Sequence, residues 1–355
     1  MSKYNVVDLF CSAGGFSYGF HKAGFDIILG VDSDINKLET YHYNLSRLNN
    51  CSIKKLSIND LKHDIFDVTY NKMQKIIGNN KVHVLLGSPP CKNHSKQNSD
   101  RNVIPDTLAK EFVRLVVSID PIFFVMENVP SFFTSSKTFF TDYFYFILES
   151  QGYTIQQIKL NAVDFGIPQN RERTFFIGNK LATHISLDKY KQKHKISIKD
   201  AISDLAYESS CQEADYREAN QNELSEYQKL MRQGSTKLYN HKTPIHTQTI
   251  LEIIKNLKQG ERYTKKSSKF SNAYVRAMYN EPASTITTRL NISNSPIHPV
   301  RNRCFSPREA ARLQSFDDKF LFIGDKESIT TQIGDAVPPL LAKTIGECLL
   351  DKLIK

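Results

Sequence analysis

The first 180 residues alternate apolar runs with stretches of helical spacing, and this alternation constrains the fold more than any other feature. Alternating strands and helices are typical of a mostly parallel sheet with helices on both faces. We therefore predict an α/β fold. The predicted strands are Asn5–Phe10, Ile27–Val31, Val82–Gly87, Ile122–Met126, Ile155–Leu160 and Thr174–Gly178.

Positive charge is concentrated in one segment of the 355-residue chain. The formal net charge is +10, yet the segment from Lys229 to Arg303 holds fourteen Lys and Arg against three acids, a net +11, so the remainder sums to about −1. Such a segment is typical of a docking surface for a polyanion, although a solvated basic face has the same composition. The strand–helix alternation ends near residue 182, which predicts a second domain.

Six widely scattered cysteines, at positions 11, 51, 91, 211, 304 and 348, form no CxxC pair. This pattern predicts no metal site and no disulfide framework, and it favours a reducing interior. The chain has no apolar run of about 18 residues, and its N-terminus has no signal-peptide layout. We therefore expect a cytoplasmic protein without membrane association.

The first strand leads into the turn Cys11–Phe16, which contains Gly14 and Gly15, and the second strand is followed by Asp32. A nucleoside-binding half-fold has this layout: a strand, a glycine turn, a helix, a second strand and then an acidic residue. Because the GxGxxG pattern is absent, an adenosyl ligand without phosphates is favoured over NAD. A purely structural tight turn would contain the same glycines. Asp60 is a second acid, either an acceptor for an adenine amino group or a surface-loop residue.

Two further predicted strands end at reactive side chains. Pro89 and Pro90 end the third strand abruptly, so Cys91 follows at the sheet edge where α/β proteins bind ligands. It is a candidate nucleophile, and the alternative is an inert core cysteine. Glu127 follows five apolar residues, so burial would raise its pKa and keep it protonated as a hydrogen-bond donor. A helix-capping carboxylate is the alternative for Glu127.

Gln169, Arg171 and Arg173 alternate before the sixth strand, so extended backbone would place them on one face. Two guanidiniums there could bind a carbonyl oxygen, a phosphate or Glu127. A solvent-facing strand would show the same alternation.

Together, and in this order, these segments resemble the cytosine-5 DNA methyltransferase family over nearly the whole chain. The segments are DLFCSAGGF (8–16), Asp32, Asp60, GSPPC (87–91), MENVP (126–130), the Gln169-x-Arg171-x-Arg173 motif, REAARLQ (308–314) and GDAVPP (334–339). The resemblance implies a Rossmann-like methyltransferase sheet with a smaller, irregular target-recognition domain. It places the catalytic and cofactor-binding domain at residues 1–182, completed by 330–355, and the target-recognition domain at 183–329.

The resemblance also implies a chemistry. The Cys91 thiolate adds to carbon 6 of a cytosine flipped out of double-stranded DNA, and carbon 5 takes a methyl group from S-adenosylmethionine. Glu127 hydrogen-bonds or protonates N3, Arg173 holds the exocyclic oxygen, and Arg171 supports the site or a phosphate. We expect a monomeric, sequence-specific prokaryotic modification enzyme of the restriction-modification type, with any cognate restriction endonuclease acting separately.

The resemblance further implies two sets of binding residues and no metal ligands. The cofactor set is Phe10, Ala13, Gly14, Gly15, Asp32, Asp60, Pro89 and Val337. The substrate set is Ser95, Asn128 and Gln169. By type alone, the candidates for reading bases are Arg276, Arg289, Arg301 and Arg303.

The chain departs from the family pattern at several positions. Ser12 replaces a common glycine, and Ser33 replaces an aromatic residue that often follows the ribose acid. Lys92 and His94 replace a glutamine and an aromatic residue after Cys91, and Asp335 replaces a common asparagine. These changes affect the expected contacts of the substrate loop and of the cofactor.

Two alternative functions remain. The first is a tRNA cytosine-5 methyltransferase, a branch that carries a Cys-Phe-Thr signature; its nearest match here is Cys304-Phe305-Ser306, directly before the REAARLQ segment. The second is a catalytically idle DNA-binding relative. Such proteins usually lack the nucleophile or the glutamate, and both residues are present here.

Overall fold

The computed structural model describes residues 4–90, 107–135, 139–211, 213–214, 216, 223–264 and 273–354. Its main feature is a six-stranded sheet with the order β2-β1-β3-β4-β7-β5. Strands β1 to β4 pair in parallel, whereas β7 runs antiparallel to both neighbours, β4 and β5. The first seven strands along the chain are β1 (Asn5–Leu9), β2 (Asp26–Val31), β3 (Val84–Gly87), β4 (Phe123–Asn128), β5 (Thr154–Asn161), β6 (Gln169–Asn170) and β7 (Glu172–Asn179).

All six predicted strands are present, and their ends differ from the predicted ends by at most two residues. Strands β1 to β4 are buried along their whole length. Burial on both faces explains why these strands have nearly continuous apolar sequences. The apolar pattern carries no information about strand direction, so it could not identify β7 as the reversed strand.

Thirteen α-helices lie within the described residues, together with short 3₁₀ turns. The helices are α1 (Gly15–Lys22), α2 (Ile35–Leu45), α3 (Ile58–Leu61), α4 (Tyr70–Ile77), α5 (Thr107–Ile119), α6 (Pro130–Ser135), α7 (Phe139–Ser150), α8 (Ile198–Ile202), α9 (Glu226–Arg232), α10 (Gln248–Lys255), α11 (Pro307–Leu313), α12 (Lys326–Asp335) and α13 (Pro339–Leu353).

Helices cover both faces of the sheet. Successive residues of a strand point to opposite faces. In β7, the ring of Phe175 packs against Phe16 of α1, with centroids 6.4 Å apart, whereas the ring of Phe176 packs against Phe144 of α7 at 5.3 Å. The predicted α/β fold is therefore confirmed.

The C-terminal helix α13 packs closely against the end of α1. A Cβ atom at Gly346 would lie 2.8 Å from the Cβ of Ala23 and 3.5 Å from the ring of Phe20. The hydroxyl of Tyr4 also donates to the Leu353 carbonyl over 2.7 Å. The chain thus returns to its N-terminal strand.

Contacts divide the chain into two compact units. Unit 1 is Met1–Asn161, Glu172–Tyr190 and Leu341–Lys355, and unit 2 is Ala162–Arg171 and Lys191–Leu340. The domain limits given by the sequence stay a prediction. No helix in the described parts of the chain is both long enough and apolar enough to cross a membrane.

Unit 2 contains little strand structure. The short strands β8 (Glu213–Ala214) and β9 (Leu238–Tyr239) pair with each other, and β10 (Ala283–Ser284) pairs with β6. A small apolar core is built around Ile254, Tyr274 and Ile297.

Unit 2 also buries paired charges. The Glu309 carboxylate is fully buried and accepts hydrogen bonds from Arg303 Nη1 and Nη2, at 2.7 and 2.8 Å, and from the Ser306 amide at 2.7 Å. Burial acts to raise the pKa of Glu309, but the charge of Arg303 outweighs it and holds that pKa well below its usual range. Since an isolated buried charge is very unfavourable, each partner here requires the other.

We predict that Glu309→Gln lowers the free energy of unfolding by about 3 kcal/mol, because it replaces the buried anionic partner of Arg303 with a neutral amide, and the exposed Glu208 carboxylate beside Arg303 Nε compensates little. Chemical denaturation followed by circular dichroism measures this loss. The control is Glu226→Gln, which removes an exposed ion pair with Lys229 and should change stability little. Equal effects of the two substitutions would contradict the prediction.

The same carboxylate gives a pH dependence. A lowered folded pKa adds stability above the unfolded value of about 4.3, and this contribution is lost as the pH falls through the lower folded pKa. The stability difference between wild type and Glu309→Gln should therefore be full at pH 7 and shrink in acid.

Candidate active site and nucleic-acid interface

The parallel strands bring the predicted site segments to one edge of the sheet. Leu9 at the end of β1 pairs with Val31 of β2 and with Gly87 of β3, and Gly87 pairs with Met126 of β4. The residues that follow these positions therefore emerge side by side. They are Phe10, Asp32, the segment 88–90 and Glu127.

The turn after β1 has an unusual backbone. Phe10, Ser12 and Gly14 all have positive φ, at 57°, 49° and 96°. A Cβ atom at Gly14 would lie 2.8 Å from the ring of Tyr41, so both the backbone and the packing require glycine there. Ala13, between them, is fully buried. Ser12 adopts a left-handed backbone conformation, which is unfavourable by about 1–2 kcal/mol for any residue with a Cβ atom. This strain is the physical consequence of a serine at a position where glycine is common.

Asp32 holds this turn. Its carboxylate oxygens accept from the Ser12 and Asp34 amides, each over 2.9 Å. A carboxylate offers about four acceptor positions, so Asp32 retains capacity for further donors. Gly14 is the N-cap residue of α1, which starts at Gly15, and it has no side chain to accept from the first-turn amides. This end of α1 is therefore suited to a carboxylate group.

Asp60 lies near Asp32 but already has a structural role. Its carboxylate accepts from the Ser57 amide and hydroxyl, both over 2.7 Å, and completes a capping box on α3. The Ser57 hydrogen bonds lower the pKa of Asp60. Leu61 accepts from the Asp32 amide over 3.3 Å, which connects this helix to the end of β2. The Ser-x-x-Asp spacing could have indicated the capping box from sequence.

Glu127 and Arg173 form an ion pair. The Glu127 Oε1 atom lies 3.0 Å from Arg173 Nε, and the two side chains are 10% and 15% exposed. Of the three alternatives for the guanidiniums, Arg173 makes the contact with Glu127, and its Nη1 also donates to the main-chain carbonyl of Glu172 over 2.7 Å. A carboxyl group and a guanidinium are thus held side by side on β4 and β7.

The segment before Cys91 is fixed to its neighbours. Asn128 Nδ2 donates to the Pro89 carbonyl over 3.1 Å, and Asn128 Oδ1 accepts from the Val129 amide over 2.8 Å. Ser88 Oγ donates to the Phe10 carbonyl over 3.3 Å, so the ends of β1 and β3 are joined. Cys91 and Ser95 themselves lie outside the described residues, as do the departures Lys92 and His94.

The described cysteines offer no rival nucleophile at this edge. Burial raises the pKa of Cys11 well above its usual value, raises that of Cys304 to about 12, and also raises that of Cys348. Cys51 is buried, and Cys211 is exposed in unit 2.

Gln169 and Arg171 have different surroundings from Arg173. Gln169 is fully buried and Arg171 is 2% exposed, and both belong to unit 2. The Arg171 guanidinium donates to the main-chain carbonyls of Ile286, Gly334 and Ala336 over 2.9–3.2 Å. It therefore acts as an internal brace for unit 2. The simple alternation of the three residues did not indicate this.

Val337 and Asp335 belong to the GDAVPP segment of unit 2. Val337 is 3% exposed, and Asp335, the last residue of α12, is exposed. The expected cofactor contacts of these two positions stay predictions.

Two candidate base-reading arginines are structural instead. Arg276 is 5% exposed and donates to the carbonyls of Ile254, Leu257, His298 and Arg301 and to the Asn302 side chain. Arg303 is 2% exposed and bound to Glu309. The hypothesis that these two side chains read bases is wrong, because their donors are already used inside unit 2. Arg289 and Arg301 are exposed.

We predict that Arg276→Lys destabilises unit 2 by about 2–4 kcal/mol, because an ammonium group cannot replace the planar set of donors. The matched control is Arg289→Lys, an exposed arginine of the same unit, which should leave stability unchanged. Thermal unfolding followed by circular dichroism compares the two. An unchanged melting temperature for Arg276→Lys would refute its role as a brace.

Comparison with known proteins places this arrangement in a family. The family model for C-5 cytosine-specific DNA methylases matches residues 4–351. The type II methyltransferase M.DdeI of Desulfomicrobium norvegicum is 32% identical, over 97% of this chain and 88% of its own length. M1.HphI of Haemophilus parahaemolyticus is also 32% identical, over 99% and 89%.

A solved structure agrees with the fold. A prophage-encoded E. coli protein described as a DNA modification methyltransferase superposes with a TM-score of 0.81 at 27% identity, over 99% of this chain and 100% of that one. On the match of the family model and of these relatives over nearly the whole chain, this protein belongs to the C-5 cytosine-specific DNA methylase family and is a DNA cytosine-5 methyltransferase of the type II restriction-modification kind.

Proposed function

We propose that the protein transfers a methyl group from S-adenosylmethionine to carbon 5 of a flipped-out cytosine at a specific sequence in duplex DNA. The observation that carries this proposal is the Glu127–Arg173 pair on β4 and β7, beside the fixed Ser88–Pro89 segment that leads to Cys91. Unit 2 would recognise the sequence, since most of the excess positive charge falls in it. We infer a monomer on DNA and a cytoplasmic location, with any paired endonuclease acting separately.

The cofactor would lie on the glycine turn. The positive φ angles at Phe10, Ser12 and Gly14 would let a ligand approach the main chain closely, and Asp32 would accept from ribose hydroxyls with its remaining acceptor positions. The uncapped start of α1 suits the amino-acid carboxylate of the cofactor, and the Phe10 ring would contact its adenine. When bound, S-adenosylmethionine supplies an electrophilic methyl group. Asp60, Pro89 and Val337 remain proposed contacts.

The chemistry begins at the sulfur of Cys91. Its thiolate forms a bond to carbon 6, and the electron pair of the 5,6 double bond moves into the ring and makes carbon 5 nucleophilic. Glu127, which takes up a proton from solvent as the base binds, hydrogen-bonds or protonates N3, so negative charge does not accumulate on the base. After methyl transfer, the carbon 5 proton passes to solvent, the electron pair of that C–H bond re-forms the 5,6 double bond, and the Cys91 thiolate leaves carbon 6, which restores the aromatic ring. A base stacked in a helix cannot be approached on both faces, so the cytosine must be flipped out.

Arg173 has two partners in this scheme. Its Nε lies 3.0 Å from Glu127 Oε1. With a cytosine bound, its guanidinium would hold the exocyclic oxygen while Glu127 faces N3. The ion pair thus positions both groups before the base arrives, which lowers the entropic cost of assembling the site. Asn128 would act by holding the Pro89 carbonyl, and Ser95 by contacting the substrate.

The described Cys304-Phe305-Ser306 segment does not support the tRNA alternative. Cys304 and Phe305 are at most 1% exposed, and Ser306 is the N-cap residue of α11, where it accepts from the Glu309 amide. These residues begin a helix and are closed to a substrate.

We predict that Cys91→Ser nearly abolishes methyl transfer and leaves DNA binding measurable, because a hydroxyl is a far weaker nucleophile near neutral pH. Transfer of a labelled methyl group to a duplex substrate measures the first effect, and a mobility-shift assay measures the second. The control is Cys211→Ser, an exposed cysteine of unit 2, which should retain full activity. Wild-type turnover of Cys91→Ser would refute the nucleophile assignment.

We predict that Glu127→Gln lowers the single-turnover rate by about 10²–10⁴-fold and leaves the cofactor dissociation constant nearly unchanged. The amide keeps the size of the side chain but cannot supply the N3 proton. Glu172→Gln, which changes an exposed carboxylate paired with Lys159, should retain activity. A large loss of cofactor affinity with a normal chemical rate would contradict the role given to Glu127.

A further inference from the structure

The main chain of Thr285–Arg289 in unit 2 is held by buried side chains that the proposed chemistry does not use. Gln169 Oε1 accepts from the Ile286 amide over 2.8 Å, and Arg171 Nη1 donates to the Ile286 carbonyl over 3.2 Å. Both main-chain polar groups of Ile286 are therefore bound by the Gln169-x-Arg171 motif.

These two side chains are themselves fixed. Gln169 Nε2 donates to the Leu313 carbonyl and to Gln314 Oε1, over 3.0 and 2.6 Å. Arg171 Nη2 donates to the Gly334 carbonyl over 2.9 Å. Buried polar groups with several partners resist displacement, because a lost hydrogen bond is not replaced by water. The REAARLQ and GDAVPP segments thus also support Thr285–Arg289.

Helix α12 packs closely against the main chain of Thr287 and Thr288. A Cβ atom at Gly334 would lie 2.4 Å from the Thr288 nitrogen and 2.5 Å from the Thr287 carbonyl carbon. Only glycine permits this approach of two backbones. Thr285 Oγ1 also donates to the Asn170 carbonyl over 2.7 Å, which fixes the start of the segment.

Arg289 ends this rigid segment and is exposed, while the next residue, Leu290, is 5% exposed. Of the four arginines that residue type alone suggests for base reading, Arg276 and Arg303 are buried, and Arg301 Nε donates to the Ala206 carbonyl over 2.6 Å. Arg289 therefore combines an exposed side chain with a main chain that is anchored at Ile286, three residues earlier.

We propose that Arg289 reads a guanine in the recognition sequence, by paired hydrogen bonds to O6 and N7 in the major groove. The inference rests on the proposed function, because it takes duplex DNA as the substrate. The planar fork of arginine matches these two acceptors, and this is the commonest specific contact between a side chain and a base. A flexible Lys or Arg side chain can bind a phosphate, whereas paired hydrogen bonds to one base require that the main chain of the reading residue is held in place. The buried support beneath this one arginine therefore favours the base.

The test uses the full chain and a pool of duplexes with randomised sequence around a cytosine, read by bisulfite sequencing after methylation. Wild type should methylate cytosines only where guanine occupies one particular position of the recognition sequence, and Arg289 should be the residue that imposes this preference. In Arg289→Gln, discrimination at that position should fall about tenfold or more, and the other positions should keep their preference. Arg289→Lys should lose most of the same discrimination, because an ammonium group lacks the planar fork.

The control is Lys255→Gln, which removes an exposed cation from the same basic segment. It should weaken methylation of all sequences alike, without changing the preferred bases. If Arg289→Gln gives this uniform pattern, or no change, the guanine contact is refuted and Arg289 is a phosphate contact or a surface charge. A wild-type protein that methylates no cytosine in the pool would refute the proposed function instead, so the two failures are distinguishable.

Discussion

The parallel pairing of β2, β1, β3 and β4 is the constraint on which the site depends. Parallel strands end at the same edge of a sheet, so segments that are distant in sequence emerge side by side. The glycine turn after β1, Asp32 after β2 and the Pro89 segment after β3 are neighbours for this reason alone. The reversed strand β7 then brings Arg173 to Glu127 from the other side.

Hydrogen bonds between strand ends convert this arrangement into a defined geometry. Asp32 binds the turn after β1, Ser88 binds Phe10, and Asn128 binds the carbonyl of Pro89. Each contact joins the end of one strand to the end of another. The proposed binding of a cofactor and of a flipped-out base would benefit from such preorganisation, because freedom left in the site would have to be removed at each turnover.

Part of the positive charge in the basic segment is buried and serves structure rather than binding. The segment from Lys229 to Arg303 carries a net +11, yet Arg276 and Arg303 face carbonyls and carboxylates inside unit 2. Such a charge stabilises a loop-rich unit by binding several main-chain carbonyls at once, where an apolar side chain would leave them without partners. The net charge of the segment is therefore larger than the positive charge that its surface presents to DNA.

The sequence by itself determined the α/β class, the six strands and the family, because apolar periodicity and ordered motifs are local properties of the chain. It could also have supplied the Ser57–Asp60 capping box, whose signature spans four residues. Only the tertiary structure decided that β7 is reversed, that Arg173 faces Glu127, and that Arg171, Arg276 and Arg303 are internal braces. The direction of a strand and the partner of a guanidinium depend on residues far away in the chain, so no local pattern can carry them.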